Sequence, residues 1–452
     1  MNPPRSCNAW VALSFVVAFV ACGGSPDPAP TTSPAPPSGA EPSADGGAPP
    51  TALPAPATAP AAPWTYVIST PSVDVLRCMA MDAAFNTLVA WTVKNGIHVE
   101  KLSPQGKALW AVEVASLAGN AAGTTSAQVV TDRHGDVFLA GGLVGDMKLG
   151  STSLPSGSAE MRILVAKLSS KDGSALWTTT FGGGIGSRAN GIVTDGDDVF
   201  VLGGTNQGSL LGRFRGADGG AGWASAWGGT RLMTLGIDSK KELWVAGYTD
   251  PSATDKAVSF GGETFSFSSA SDLVLAKFGP DGAHRFSARY GEKNTDADTL
   301  LDATLDKDDN LVVAGYAGPL VDLGGGMLTP DSRTPFVAKL DASGKHVWSK
   351  SASSTGWGRP RARSGSLEVS AIARRANAAD EIVTVDAAGA PLATVPTAKF
   401  ITTADPYAPN VEMVYPVAAT GLIVGGTFQK TASIGGKPYV ADLVDAFVSY
   451  VP

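Results

Sequence analysis

The residues of this chain that could recognise a charged ligand lie close together in one basic segment. They are Trp357, Arg359, Arg361, Arg363, Arg374 and Arg375. The chain as a whole is acidic, with a formal net charge of −7. Arginine pairs with carboxylate and phosphate groups, and tryptophan adds an aromatic face. We therefore predict a binding loop for an anionic glycan or an acidic protein; the alternative is a solvated loop whose arginines only neutralise nearby carboxylates.

Other residue types that often do chemistry do not assemble into a catalytic or metal site. Three cysteines and four histidines are too few, at their spacings, for a disulfide framework or a zinc cluster. Residues 306–310 resemble a calcium loop only superficially, because Leu311 and Ala317 replace the glycine and glutamate that such a loop needs. Cys78 lies in an apolar strand pattern and is predicted to be a buried thiol that acts as a small hydrophobe. The sequence thus predicts no catalytic residue, no metal and no cofactor.

The first residues indicate export. An apolar run at 9–21 is too short to span a bilayer comfortably, which is typical of a signal peptide. It ends at Cys22 in a sequence that resembles a bacterial lipobox. We predict a signal peptide at 1–21 and lipidation of Cys22, with palmitate among the acyl chains; an ordinary secretory signal is the alternative. Neither Gly23 nor Gly24 is the aspartate of an inner-membrane retention signal, which favours the outer membrane.

The next segment, 22–63, is predicted to be a tether. It follows the lipidated cysteine and is rich in proline, alanine and serine, with no lysine or arginine. Such a composition cannot bury a core and should stay extended and disordered. Fully extended, it could hold a domain on the order of 100 Å from the bilayer.

The region that must position the candidate residues, 64–452, is built from a repeat. Each copy has an apolar strand with a lysine, a turn with glycine, and then an aromatic residue. The plainest copies run from Val99 to Trp110, Val165 to Trp177, Val274 to Phe286 and Val337 to Trp348. A strand that ends at a turn aspartate, and a second strand that stops on glycine, precede each copy. The period fixes an all-β architecture with four strands per unit, since no helical period occurs here.

Two recurring side chains of the repeat are predicted to be structural. The turn aspartates should accept hydrogen bonds from the backbone amides that follow them, and they are Asp132, Asp195, Asp238 and Asp306. The aromatic residue often has a second aromatic four positions later, on the same face of the strand. Such pairs, for example Trp177 and Phe181, should pack between neighbouring sheets.

The number of units and the ends of the chain predict a closed ring. Long units carry an extra hairpin between the second and third strands, with a glycine turn, and short units do not. The last unit lacks a fourth strand, whereas residues 64–68 form an isolated strand after the tether. Pairing the two would close a β-propeller of seven four-stranded antiparallel blades. The unit at 353–398 is degenerate, so six blades and an irregular insertion are the alternative.

This pattern resembles the bacterial seven-bladed β-propeller repeat known as SBBP. The closest copy is the run from Phe336 to Gly344, Phe-Val-Ala-Lys-Leu-Asp-Ala-Ser-Gly, followed by Trp348. The resemblance covers most of 64–452. It implies a secreted or surface-attached protein, and it transfers no catalytic residue.

These observations together predict a non-enzymatic binding or scaffold module for a protein or glycan. We expect a monomeric, lipid-anchored protein of the outer membrane, facing the periplasm or the exterior. The low isoelectric point of about 5.2 argues against a nucleic-acid partner. The alternatives are a secreted propeller enzyme that acts on polysaccharide and an envelope-assembly lipoprotein. A quinoprotein dehydrogenase is disfavoured, because the chain has no adjacent cysteines.

Overall fold

A computed structural model describes most of the chain after residue 60. The described residues are 60, 62–93, 96–116, 126–154, 161–184, 186–267, 270–291, 297–318, 321–328, 334–351, 356–362, 366–374, 380–403, 410–417 and 421–452. The predicted signal peptide, Cys22 and nearly all of the tether lie outside them. Within these ranges the one helix is a 3₁₀ turn, Thr397–Lys399, and no helix is long and apolar enough to cross a membrane.

Seven antiparallel sheets form the blades, numbered here 1 to 7 in chain order, and one two-stranded hairpin is a separate sheet. The innermost strands are Val75–Met81, Ala127–Thr131, Arg188–Thr194, Thr230–Ile237, Thr299–Leu305, Gly356–Ala362 and Asn410–Val417. The second strands are Thr87–Val93, Val137–Leu143, Val199–Thr205, Leu243–Thr249, Leu311–Ala317, Val369–Arg374 and Gly421–Ile434. The third strands are Gly96–Leu102, Arg162–Leu168, Gly208–Phe214, Leu273–Phe278, Thr334–Leu340, Glu381–Val385 and Lys437–Val451. The outermost strands are Ala108–Ser116, Ala175–Phe181, Ala221–Gly228, His284–Tyr290, His346–Ser351, Pro391–Pro396 and Trp64–Ile68.

The innermost strands of consecutive blades pack side by side, and that of blade 7 returns to blade 1, so the sheets form a ring. The outermost strand of blade 7 is Trp64–Ile68. It pairs antiparallel with the third strand of that blade, Trp64 opposite Tyr450 and Ile68 opposite Ala446. This confirms the predicted seven-bladed β-propeller, closed by an N-terminal strand.

Blade 6 corrects one expectation. The basic segment was predicted to be a loop, and the degenerate unit left six blades open. The structure has a complete four-stranded blade there, with Gly356–Ala362 as its innermost strand. That strand bulges between Gly358 and Arg361. Pro360 lies in the bulge, where the strand ladder needs no amide hydrogen bond from it. A proline and several arginines in one run are typical of a loop, which is why the sequence predicted one.

Three of the predicted extra hairpins occur as separate features, and one does not. In blade 2 the short strands Met147–Leu149 and Thr152–Leu154 pair with each other, and Met147–Leu149 also pairs with the outermost strand of blade 1. Blade 4 carries Ala257–Ser259 and Thr264–Ser266, and blade 5 an isolated bridge. In blade 7 the second and third strands simply run on to the turn, and Ile401–Thr403 pairs with the extension.

The repeated aromatic joins a blade to the next at six of the seven joints; the outermost strand of blade 6, Pro391–Pro396, has no aromatic residue. In each case the ring lies over the turn glycine of the following blade. The pairs are Trp64 with Gly106, Trp110 with Gly173, Trp177 with Gly219, Trp223 with Gly282, Phe286 with Gly344, and Trp348 with Gly389. Every tryptophan of this set donates its indole N–H to a carbonyl of that turn, at 2.9 to 3.1 Å. The second aromatic also packs across the blades, as predicted: Phe181 meets Phe214 of blade 3 edge-on, with ring centroids 5.4 Å apart.

The lysine of the third strand is buried in an ion pair with the turn aspartate of the same blade. The distances are 2.9 Å for Lys101 and Asp82, 2.9 Å for Lys167 and Asp132, 2.8 Å for Lys277 and Asp238, and 2.7 Å for Lys339 and Asp306. The other carboxylate oxygen accepts backbone amides, which confirms the predicted turn. The repeat therefore encodes a buried charge network as well as an apolar core.

Candidate functional site

A cavity of about 340 Å³ lies on the axis of the propeller, where the innermost strands of all seven blades meet. Its polar lining consists of amide, hydroxyl, thiol, guanidinium and carboxylate groups. They belong to Gln128, Asn190, Thr234, Thr304, Tyr415, Cys78, Arg361 and Asp302. The remaining wall is aliphatic. The size is within the range of small-molecule sites, and the mixture of apolar wall and few polar groups is typical of them.

β-Bulges aim several of these side chains at the axis. Six of the seven innermost strands shift register against their second strand at the corresponding position. The residue just after the shift is Cys78 in blade 1, Thr234 in blade 4, Asp302 in blade 5 and Arg361 in blade 6. Each of these four lines the cavity. A bulge adds one or more residues and so redirects the side chains that follow it.

Arg361 is the central charged group of the cavity. Its Nη1 donates to Oδ2 of Asp302 at 3.1 Å and to the Pro360 carbonyl at 2.8 Å. The guanidinium carbon stands 5.7 Å from the ring centroid of Tyr415. About a quarter of the arginine side chain remains accessible, against 17% of Asp302. Three blades thus hold one guanidinium in a fixed orientation with part of its surface open to the cavity.

The pKa shifts around Arg361 keep its charge and leave Tyr415 neutral. Burial alone would lower the pKa of Arg361, but the neighbouring carboxylate of Asp302 raises it above its ordinary value. Burial raises the pKa of Tyr415, and the adjacent Arg361 offsets only part of this. At neutral pH the cavity therefore contains the permanent cation of Arg361, bound to Asp302, and the neutral phenol of Tyr415.

A second guanidinium stands next to the lining. Nε of Arg188 donates to Oδ1 of Asn190 at 3.2 Å, and the amide nitrogen of Asn190 donates to the Leu232 carbonyl at 2.7 Å. Burial, and then repulsion from Arg231, lower the pKa of Arg188. Arginine stays protonated all the same. The lining and its bonded neighbours thus include two cations and one anion, in a chain whose net charge is negative.

Of the six predicted binding residues, the structure describes the side chain of Arg361. Arg361 faces the central cavity, rather than an outer loop. Trp357 and Arg359 lie in the same innermost strand and Arg374 ends the second strand of blade 6, but their side chains are outside the described residues, as are Arg363 and Arg375. No sequence reasoning placed Asp302, Tyr415 or Asn190 in one site. Sequence alone could not find them, because they come from different blades.

Cys78 is half-buried rather than enclosed. It lines the cavity, and its Sγ lies 3.8 Å from the Val129 carbonyl of blade 2. The aspartate of the calcium-like segment, Asp306, is bound to Lys339. Among the described residues, no group of three or more His, Cys, Asp or Glu side chains could hold a metal ion.

Comparisons with known proteins return propellers of diverse function. No protein-family model matches the sequence, and a search of curated proteins finds no match. The Dos1 propeller is 10% identical, with a TM-score of 0.46 over 86% of this chain and 94% of its own. An inactive virginiamycin B lyase from Staphylococcus aureus, bound to quinupristin, is 10% identical, with a TM-score of 0.45 over 85% and 99%. A quinohemoprotein alcohol dehydrogenase from Comamonas testosteroni is 11% identical, with a TM-score of 0.42 over 86% and 76%. Likenesses this remote carry no inference about activity.

Proposed function

We propose that this protein is a lipid-anchored binding module of the bacterial cell envelope, with no catalytic activity of its own. In this proposal Cys22 carries the anchor, 22–63 is the tether and the propeller engages the ligand. The observation that carries the binding role is the polar cavity on the axis, in which three blades hold Arg361. A rigid, mixed-polarity cavity is suited to recognition. A glycan is the favoured ligand, and a protein bound at the outer loops is the alternative.

The composition of the cavity favours binding over polysaccharide hydrolysis. Most glycosidases need two carboxyl groups that flank the scissile bond, one acting as the acid and the other as base or nucleophile. Among the described residues that line the cavity, Asp302 is the one carboxylate. It is bound to Arg361 at 3.1 Å. The described lining thus offers one carboxyl group where this hydrolysis needs two.

Metabolic labelling tests the anchor. Cells that express the full chain are fed labelled palmitate, with and without the signal-peptidase inhibitor globomycin. We expect label on the wild type, none on Cys22→Ala, and accumulation of a precursor in the presence of globomycin. Cys78→Ala is the matched control and should retain the label. Label that persists on Cys22→Ala would contradict the anchor.

A glycan array and an envelope pull-down test the binding role. The full chain is compared with Arg361→Gln and with a variant in which Arg359 and Arg363 are both changed to alanine. Loss of binding in the first variant assigns recognition to the axial cavity, and loss in the second assigns it to the rest of the basic segment. Turnover of a polysaccharide in the same samples, measured as new reducing ends, would contradict the non-enzymatic role.

A further inference from the structure

We propose that the axial cavity binds a sugar acid, with the ligand carboxylate held by Arg361. This inference rests on the proposed binding function and gives it a site and a class of ligand. It uses the described side chains around the axis and needs no residue of the outer loops.

The geometry of Arg361 suits a ligand carboxylate. Nη1 donates to Asp302 and to the Pro360 carbonyl, and Tyr415 also contacts the guanidinium. A guanidinium is planar and has a second edge, formed by Nε and Nη2, that matches the two oxygens of a carboxylate. The Asp302 bond and the Tyr415 ring fix the plane of the group, so the arginine loses little conformational freedom when a ligand binds.

The charged groups at the cavity favour an anionic ligand. Arg361 and Arg188 outnumber Asp302 at the cavity lining and its bonded neighbours. Within the lining the charges of Arg361 and Asp302 balance, so the excess positive charge comes from Arg188 beside it, and this favours anions over cations. The field therefore selects an anionic ligand, while the chain's overall charge disfavours non-specific anion binding at the outer surface.

The other polar groups of the lining favour a sugar acid over a bare anion. The lining places amide groups from Gln128 and Asn190 and hydroxyl groups from Thr234 and Thr304 in the same cavity. Asn190 and Thr234 already donate to backbone carbonyls, but the second N–H of Asn190 and the lone pairs of Thr234 can still bond to ligand hydroxyls. A fatty acid or an inorganic ion does not offer several hydroxyls together with a carboxylate. The volume of about 340 Å³ also has room for a sugar ring beside the carboxylate.

The experiment is calorimetry on the full chain in detergent, with D-galacturonate and D-glucuronate as probes. D-Galactose is the uncharged control, and acetate is the control for a bare carboxylate. We expect at least one uronate to bind, and Arg361→Gln to weaken it by about tenfold or more, the loss expected for a charge-assisted pair. Arg133→Gln is the matched control, because Arg133 is exposed and paired with Asp197 on the outer surface. It should leave the affinity unchanged.

Two further measurements locate the site and guard against misfolding. Alkylation of Cys78, followed by mass spectrometry of its peptide, should slow in the presence of the uronate and not of galactose, because Cys78 lines the same cavity. The double variant Arg361→Gln with Asp302→Asn removes both charges, so no lone carboxylate is left buried. It should keep the wild-type circular dichroism spectrum and still not bind.

Several outcomes would overturn the site. They are no heat from either uronate, equal binding of acetate or galactose, unchanged affinity in Arg361→Gln, and no protection of Cys78. A partner captured in the envelope pull-down equally well by wild type and Arg361→Gln would remove the axial site and leave the binding module standing. If the pull-down captures no partner but a uronate still binds, the axial site stands and the envelope binding module is contradicted.

Discussion

Removing the lysine of one buried ion pair is expected to cost more stability than removing any exposed lysine. Lys339 of blade 5 has 2% of its side chain exposed, and its partner Asp306 has none. Lys339→Met keeps the length and most of the apolar contact but leaves the carboxylate of Asp306 without its cation. Breaking a buried pair in this way costs about 3–5 kcal/mol. The amides that Oδ1 of Asp306 accepts remain in place, so the loss comes from the charge and not from the turn.

A double variant separates the lost free energy of unfolding into a contribution from charge and one from packing. Asp306→Asn with Lys339→Met removes both charges, and the asparagine oxygen can still accept the turn amides. Replacing both partners of a buried pair is often close to neutral. We therefore expect the double variant to recover more than half of the loss. Lys350→Met, at an exposed position of the same blade, should change stability by no more than about 0.5 kcal/mol.

The assay is urea unfolding of the full chain, followed by tryptophan fluorescence at several pH values. Burial alone would raise the pKa of Asp306, but hydrogen bonds from Lys339, Asn310 and backbone amides lower it below its ordinary value. Its contribution is therefore fully present above the pKa of the unfolded chain, and it is lost as pH falls toward the folded pKa. The wild type should lose its advantage over the double variant in acid. A single variant within about 1 kcal/mol of wild type, or a double variant as unstable as the single, would refute the reasoning.

Three further variants test the joints between blades. Trp348→Phe should cost only about 0.5–1.5 kcal/mol in urea unfolding, because it removes one hydrogen bond and Phe286 already fills the corresponding place in blade 4. Gly389→Ala should cost more than that substitution in the same assay, since φ is +76° and the new Cβ would lie 2.7 Å from the Trp348 ring; equal or greater stability than wild type would contradict it. Glu100→Gln should stabilise the protein at neutral pH and not in acid, because burial raises the pKa of Glu100 despite the Tyr66 hydrogen bond, and a group with a raised acid pKa loses stability as pH rises. Thermal unfolding at pH 4 and pH 7 measures this difference, and a constant offset would contradict it.

The frame was predictable because its determinants recur. A turn aspartate, a lysine next to last in the third strand and an aromatic after the next turn recur in blades 1, 2, 4 and 5. The sequence assigned the aspartate and the aromatic to their places. It did not reveal that the lysine pairs with the aspartate, although both recur in the same units and the pairing could have been inferred from that. The second strand was expected to stop on its glycine; in blade 4 it continues from Leu243 to Thr249. Gly247 lies inside it, where the bulged innermost strand leaves no room for a Cβ.

The site was less predictable for a physical reason. Its residues share no spacing, because each blade contributes one or two of them and the axis is the place where distant parts of the chain meet. Arg361 was singled out for its charge, but its run with Pro360 is typical of a loop, and the bulge that accommodates the proline cannot be seen in one strand alone. Nothing in the sequence around Asp302 indicated that it belongs to a site.

Whether a residue is repeated depends on whether its substitution would destabilise the fold. Rings and turn glycines fit one another between blades, and the Lys–Asp pairs are buried within blades, so a change in either leaves a void or an unpaired charge. At the axis, the side chains face a cavity, and a substitution changes its lining without displacing a neighbouring sheet. Arg361 and Asp302 join two innermost strands across that cavity, whereas the repeated Lys–Asp pairs close within a single blade. The residues that break the repeat at the axis are therefore those in which ligand specificity can differ while the ring stays the same.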